Sequence, residues 1–94
     1  MWKVYEQKLV TKGLVKLPRE IQMKYKAWVE IVKNGGCNNL KNYSGFKDEK
    51  LRGSLNGYRS SRLSIKYRII YTEDSGLEEL TVVGITAHDY KEFL

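Results

Sequence analysis

Hydrophobic side chains recur at helical spacing in the first third of the chain. Val10, Leu14 and Leu17 predict a short helix over residues 5–17. A second, clearer helix is predicted over residues 18–34, where four apolar side chains share one face: Ile21, Tyr25, Trp28 and Val32. Pro18 suits the first turn of that helix, and the run Asn34-Gly35-Gly36 ends it.

The apolar period changes from helical spacing to two after Gly57. Alternation predicts strands over residues 58–63, 67–72 and 80–85, with turns near residues 64–66 and 73–76. Residues 2–5 would add an edge strand, residues 88–94 a short terminal helix, and residues 35–57 a long irregular connection. The expected fold class is α+β: a single domain, residues 1–94, with two N-terminal helices packed on one face of a small antiparallel sheet.

The charge is unevenly distributed along the chain. The net charge is +6, but residues 50–72 hold six Lys and Arg residues and no acid, whereas residues 73–94 hold six acids and one Lys. An acid-free cationic segment suits a polyanion such as a nucleic-acid backbone. A solvated basic face has the same charge, so charge alone does not separate RNA, DNA and an acidic protein as partners.

Composition narrows the class of protein further. The hydrophobic fraction of 41% and the charged fraction of 30% fit an ordinary globular domain. Cys37 is the single cysteine, which excludes an internal disulfide and favours a reducing compartment. No run approaches the roughly 20 apolar residues of a membrane span, and the N-terminus does not resemble a signal peptide. A soluble, cytoplasmic protein is therefore expected.

The first predicted hairpin brings two arginines together. With a turn over residues 64–66, Arg62 lies directly opposite Arg68, and like charges in that position are destabilising. Two guanidinium groups on one side of a hairpin suit a phosphate, which arginine binds with a bidentate fork. A register shifted by one residue would instead point the two side chains apart.

The end of the third predicted strand carries groups that move protons. His88 is the only histidine, and its imidazole titrates near neutral pH. Asp89 can orient that ring or accept a proton, and Tyr90 can donate a proton or stack on a base. A surface histidine and a helix-capping aspartate would give the same triplet. The sequence has no CxxC pair, second histidine or phosphate-binding loop, so neither a metal site nor a cofactor is expected.

Several of these residues together resemble a known family. Leu51-Arg52-Gly53, the run from Gly57 to Leu63, and Tyr67-Arg68-Ile69-Ile70-Tyr71 are similar to the motifs of the RelE/ParE toxins. The ending His88-Asp89-Tyr90 resembles the close of the HigB-like members of that superfamily. The resemblance covers about residues 18–91.

The resemblance implies the toxin of a type II toxin–antitoxin system. Many members of the superfamily cleave mRNA in the ribosomal A site without a metal, which stops translation, and a cognate antitoxin protein is the expected partner. By this resemblance, Arg68 matches the strand arginine that contacts the scissile phosphate. Arg62 matches a basic position on the preceding strand of some members. Asp89 and Tyr90 match the catalytic Asp-Tyr pair of the HigB-like branch. His88 is expected to join this catalytic set. The remaining cations of the basic segment are expected to bind RNA: Lys50, Arg52, Arg59 and Lys66.

The sequence departs from the HigB-like pattern at one catalytic position. The segment before Leu51-Arg52-Gly53 lacks the histidine often found there, so either His88 or Glu49 substitutes for it, or the site works differently. Two other functions also fit the pattern. One is a gyrase-inhibiting toxin of the ParE kind. The other is a non-catalytic RNA-binding module that stacks bases on the strand tyrosines Tyr58, Tyr67 and Tyr71.

Overall fold

Two α-helices cover one face of a five-stranded sheet. The computed structural model describes residues 1–87, and its regular elements are β1 (Lys3–Glu6), α1 (Lys8–Leu14), α2 (Arg19–Lys33), β2 (Glu49–Lys50), β3 (Arg59–Arg62), β4 (Arg68–Asp74) and β5 (Glu79–Thr86). Three short 3-10 helices, Gly36–Asn42, Ser44–Phe46 and Gly53–Leu55, lie between α2 and β3. The predicted α+β class is confirmed.

The strand order is β1-β5-β4-β3-β2. Strands β2 to β5 form an antiparallel meander, in which each strand pairs with the next one in the sequence. The predicted N-terminal edge strand is confirmed, but β1 runs parallel to β5, with Val4 paired to Leu80. The sheet is therefore mixed at that edge.

The predicted second helix and the three predicted strands are confirmed, with shifts of one or two residues at their ends. The predicted first helix was wrong at both ends. Residues 5 and 6 belong to β1, because hydrogen bonding to β5 outweighs the local helical pattern. The helix stops at Leu14, and the residue before Pro18 is sterically disfavoured in helical geometry. The terminal helix expected over residues 88–94 lies outside the described residues.

The main core lies between α2 and the sheet. Trp28 and Tyr71 are fully buried, and their rings meet edge to face with centroids 5.1 Å apart. Tyr25 stacks on the other side of Trp28 at 6.1 Å. Aromatic pairs in these arrangements add to the free energy of folding beyond the area they bury. The packing of α2 therefore fixes which face of the sheet is covered.

Alternation along β4 separates the two faces of the sheet. Ile69 and Tyr71 belong to the main core, so the side facing α2 is the inner face. Ile70 belongs to a smaller apolar cluster with Leu51 and Leu55 on the opposite side, the outer face. Arg68 lies on this outer face, because residues two apart in a strand share a side.

Candidate functional site

The two strand arginines lie where the hairpin pattern predicts. Arg62 of β3 is paired in register with Arg68 of β4, so the alternative register is excluded. The Arg68 side chain is 26% exposed, and its Nη1 donates a hydrogen bond of 3.1 Å to the Ser60 hydroxyl. Both arginines and Ser60 are on the outer face, since Arg62 and Ser60 alternate with the inner-face residues of β3.

The arginine pair, meaning Arg62 and Arg68, places two guanidinium groups side by side on the outer face. A carboxylate oxygen of Glu49 lies 3.9 Å from Arg68 Nη1, which is too long for a hydrogen bond. The Nε of Arg62 is buried and has no hydrogen-bond partner among residues 1–87. Two cations held side by side form a candidate anion site.

The fold brings Glu49 to this pair from a distant part of the sequence. Glu49 is in β2, opposite Ser60, and its side chain is 53% exposed. On the other flank of the pair, Thr86 at the end of β5 is in register with Arg68. The predicted site residues His88, Asp89 and Tyr90 follow shortly after Thr86 in sequence but lie outside the described residues.

The other predicted RNA-binding cations separate into two groups. The first group is exposed: Lys50 lies in the edge strand β2, Arg52 follows that strand, and Lys66 lies in the β3–β4 turn. Arg59 is different, because its guanidinium is bound by Asp48 through Nε at 3.1 Å and Nη2 at 2.6 Å. Arg59 is in register with Tyr71, which places it on the inner face, away from the arginine pair. Arg59 and Arg62 are three residues apart in one strand, so side-chain alternation in the sequence could have predicted that they lie on opposite faces.

Sequence reasoning missed the buried carboxylate that holds Arg59. The Asp48 side chain is 8% exposed, and it accepts hydrogen bonds from the Ser61 hydroxyl at 2.8 Å and from the Tyr71 hydroxyl. With Arg59, these groups form the Asp48 cluster: Asp48, Arg59, Ser61 and Tyr71. Nothing local marks Asp48 as special, because its partners are 11, 13 and 23 residues away.

The environment of the Asp48 cluster stabilises its charges and protons. Burial lowers the pKa of Arg59, but hydrogen bonds to Asp48 and Tyr71 outweigh burial and raise that pKa above its usual value. Burial, and then the negative charge of Asp48, raises the pKa of Tyr71. Arg59 therefore stays cationic, and the Tyr71 hydroxyl keeps its proton, across the ordinary pH range.

The lone cysteine is held in a separate contact behind β4. Its backbone N–H donates to one oxygen of Glu73 at 2.6 Å, and its thiol donates to the other at 2.9 Å. Burial, followed by that hydrogen bond, raises the pKa of the Cys37 thiol to about 12. At neutral pH the thiol is protonated and a poor nucleophile.

Residues 1–87 contain neither a helix that could span a membrane nor a cluster of metal-binding side chains. No helix in this part of the chain is long and apolar enough to cross a membrane. No group of three or more His, Cys, Asp or Glu side chains within it is arranged to hold a metal ion.

Comparison with known structures places this architecture among small toxin folds. No protein-family model and no curated protein matches the sequence. RelE in the archaeal RelE–RelB complex of Pyrococcus horikoshii superposes with a TM-score of 0.73 at 22% identity, over 90% of this chain and 92% of that one. YoeB in the YoeB–YefM toxin–antitoxin complex of Staphylococcus aureus gives 0.72 at 18% identity, over 95% and 99%.

A third similar structure is YafQ of Escherichia coli, with a TM-score of 0.71 at 20% identity over 92% of each chain. The protein therefore has the fold shared by RelE, YoeB and YafQ, and the resemblance inferred from the motifs is confirmed at the level of fold. The HigB-like branch stays a prediction, and so do the roles of the individual site residues.

Proposed function

We propose that this protein is the toxin of a type II toxin–antitoxin system that cleaves mRNA in the ribosomal A site, in the cytoplasm. The observation that supports this most directly is the register of Arg62 with Arg68 on the outer face of the sheet. Two cations in that position favour a phosphate that carries extra negative charge in the transition state. Exposed Lys50, Arg52 and Lys66 supply further charge for the RNA backbone.

The proposed reaction uses the RNA's own 2′-hydroxyl as the nucleophile. A base removes its proton, the 2′-oxygen attacks the adjacent phosphorus, and the bond from phosphorus to the 5′-oxygen breaks. An acid then protonates the leaving 5′-oxygen. The products are a 2′,3′-cyclic phosphate and a 5′-hydroxyl, with no change of oxidation state. Arg68 and Arg62 stabilise the charge on the phosphate oxygens, and the scheme requires neither a metal nor a cofactor.

Two parts of the chain supply candidates for the proton transfers. His88, Asp89 and Tyr90 follow Thr86 in the sequence, and Thr86 is in register with Arg68. Glu49 is the second candidate for the base, because its carboxylate is already 3.9 Å from the Arg68 guanidinium and half-exposed. The position beside Arg68 suits a group that accepts a proton from an atom next to the phosphate.

The proposal includes a cognate antitoxin as partner. The similar RelE and YoeB proteins are each in complex with a second protein, RelB or YefM. We propose that the antitoxin of this protein shields or distorts the outer face around the arginine pair. Full cleavage activity in the presence of saturating cognate antitoxin would contradict this.

The test is primer extension on a defined mRNA held in the A site of purified ribosomes. Wild-type protein is expected to cut the message, while Arg68→Ala and Tyr90→Phe lose the cut. Arg19→Ala, which removes an exposed arginine at the start of α2, is the charge-matched control and is expected to cleave normally. Mass spectrometry of the fragments is expected to show the 2′,3′-cyclic phosphate.

An intact message after incubation with wild-type protein would overturn the proposal. Gyrase inhibition would then be measured directly with purified gyrase and supercoiled DNA. RNA binding without cleavage in the same reactions would support the non-catalytic module instead.

A further inference from the structure

The Asp48 cluster does more than neutralise a buried charge. Both oxygens of the Asp48 carboxylate are bound: one accepts from the hydroxyls of Ser61 and Tyr71, and the other accepts from Arg59. These three partners come from β3 and β4, two central strands, whereas Asp48 is in the connection before β2. The cluster therefore ties an irregular segment to the rigid part of the sheet.

Buried Phe46 and Leu51 flank that segment, but its backbone pairing with the sheet is short. Strand β2 has two residues, Glu49 and Lys50, and lies at the edge of the sheet. Lys47, just before Asp48, has a left-handed backbone with φ 41°, a conformation that L-residues with side chains rarely adopt. A two-residue ladder after a strained residue does not fix the chain by itself, so side-chain anchoring decides its position.

Consecutive residues of an extended segment point to opposite sides of the sheet. Asp48 reaches the inner face, where Tyr71 lies, and Glu49 accordingly reaches the outer face, where Arg68 lies. The orientation of one carboxylate therefore determines the orientation of the next.

We propose that Asp48 is a positioning residue for RNA cleavage, whose buried contacts hold the Glu49 carboxylate beside the Arg68 guanidinium. The inference rests on the proposed function and adds a specific role within it. Asp48 touches neither the RNA nor the reacting atoms; it acts through Glu49. Arg59 and Tyr71 share this role, because they bind the same carboxylate.

The chain offers a matched pair of variants for the first test. Tyr71 and Tyr25 are both buried, both pack against Trp28, and each donates its hydroxyl to a carboxylate, Asp48 for Tyr71 and Glu6 for Tyr25. Tyr71→Phe and Tyr25→Phe each remove one such hydrogen bond and keep the ring, and Tyr71→Phe also removes the 3.3 Å bond that the Tyr71 hydroxyl accepts from Arg59 Nε. They differ in whether the lost bond holds the segment that carries Glu49.

Single-turnover cleavage of mRNA on ribosomes is measured for both variants across toxin concentrations. Tyr71→Phe is expected to lower the maximal rate about tenfold or more, since small misplacements of a reacting group are costly, and to leave half-saturation within about twofold. Tyr25→Phe is expected to leave both values close to wild type. Equal rate losses in the two variants would mean that loss of a buried hydrogen bond slows cleavage only by lowering the stability of the fold, and would overturn the proposal.

A double-mutant cycle tests whether Asp48 acts through Glu49. Asp48→Asn and Glu49→Gln are each expected to slow cleavage, and the double variant is expected to be no slower than Glu49→Gln alone. Asp48→Asn is also expected to change the acidic limb of the pH–rate profile, which reports the group accepting the proton. Losses that multiply, or a Glu49→Gln variant with wild-type rate, would overturn the proposal.

A third measurement needs no cleavage at all. Leu51 donates its backbone N–H to the Tyr58 carbonyl at 2.9 Å just after β2, so its amide exchange reports how firmly the segment is held. Asp48→Asn is expected to speed hydrogen exchange over residues 47–51 and to leave α2 unchanged. Unchanged exchange there would overturn the anchoring role. A wild-type protein that does not cut RNA would instead remove the proposed function, so the two failures are distinguishable.

Discussion

Arg62 and Arg68 are directly opposite each other on adjacent antiparallel strands, and both side chains are on the outer face of the sheet. Like charges in register repel, and the Nε of Arg62 is buried without a hydrogen-bond partner among residues 1–87. An arrangement that weakens the free protein is expected where an anion is to be bound.

Replacing Arg62 by methionine is therefore expected to stabilise the fold and impair function. Arg62→Met removes the repulsion, which raises the free energy of unfolding by about 0.5 kcal/mol and the melting temperature by about 2–4 °C. The same variant is expected to cleave mRNA more slowly. Thermal melting followed by circular dichroism checks the first effect, with Arg19→Met as control. A lower melting temperature for Arg62→Met would show that the pair is not a site of strain.

Lys66 gives a test of backbone binding that is separate from cleavage. Its side chain is exposed in the β3–β4 turn, with the ammonium 5.8 Å from the Tyr67 ring centre. If Lys66 contacts one RNA phosphate, Lys66→Ala reduces the slope of log affinity against log salt by about 0.7. Fluorescence anisotropy with a short single-stranded RNA at several salt concentrations measures this slope. A slope equal to that of wild type would remove Lys66 from the RNA-binding set.

Two glycines are expected to respond oppositely to alanine. Gly13 lies in α1 with open space around the position of a Cβ, so Gly13→Ala raises the free energy of unfolding by about 0.5 kcal/mol. Gly36 has φ +67°, and a Cβ there would lie 2.8 Å from a Glu73 oxygen and 2.8 Å from a Trp2 ring carbon. Gly36→Ala is expected to lower that free energy by about 1–3 kcal/mol. Urea unfolding of both variants checks the two signs.

Cys37 predicts a loss of stability in alkali. Burial and the hydrogen bond to Glu73 raise the pKa of its thiol from 9.0 to about 12. The folded thiol keeps its proton where the unfolded thiol has lost it. The stabilising contribution is therefore complete below pH 9 and is lost as the pH rises from 9 towards 12.

The comparison with Cys37→Ala isolates that contribution. Tyr25 and Tyr71 also have raised pKa values and destabilise both proteins in alkali, and because the charge of Cys37 is only the smallest cause of the Tyr71 shift, nearly all of their effect cancels in the difference. Urea unfolding from pH 8 to pH 10.5 is expected to show a steeper decline for wild type than for Cys37→Ala. Parallel declines would mean that the thiol does not differ between the folded and unfolded states.

The spacing of apolar residues and the lengths of short turns predicted the elements that depend on residues close together in the sequence. The stripe of Ile21, Tyr25, Trp28 and Val32 predicted α2, and all four residues are buried in the main core. The short turn over residues 64–66 predicted the register of the first hairpin, and Arg62 pairs with Arg68 as expected. A tight turn leaves few registers open, so these contacts follow from the order of the residues.

Long-range contacts were not predictable in this way. Residues 5 and 6 were assigned to a helix, but they pair with β5, some 75 residues away in sequence. The connection before β3 gave no sign that Asp48 would be buried among Arg59, Ser61 and Tyr71. Arg59 and Arg62 looked equivalent as cations, although alternation along β3 places them on opposite faces.

By itself, the sequence determined the second helix, the central hairpins and the pairing of Arg62 with Arg68. Each of these depends on apolar periodicity or on a short turn, and both are properties of neighbouring residues. The tertiary structure alone decided that β1 joins β5 in parallel, that Asp48 holds Arg59, and that Glu49 lies beside Arg68. Asp48 makes its long-range contacts because packing α2 against Tyr71 makes one face of the sheet an interior, and a carboxylate there has to find donors from neighbouring strands.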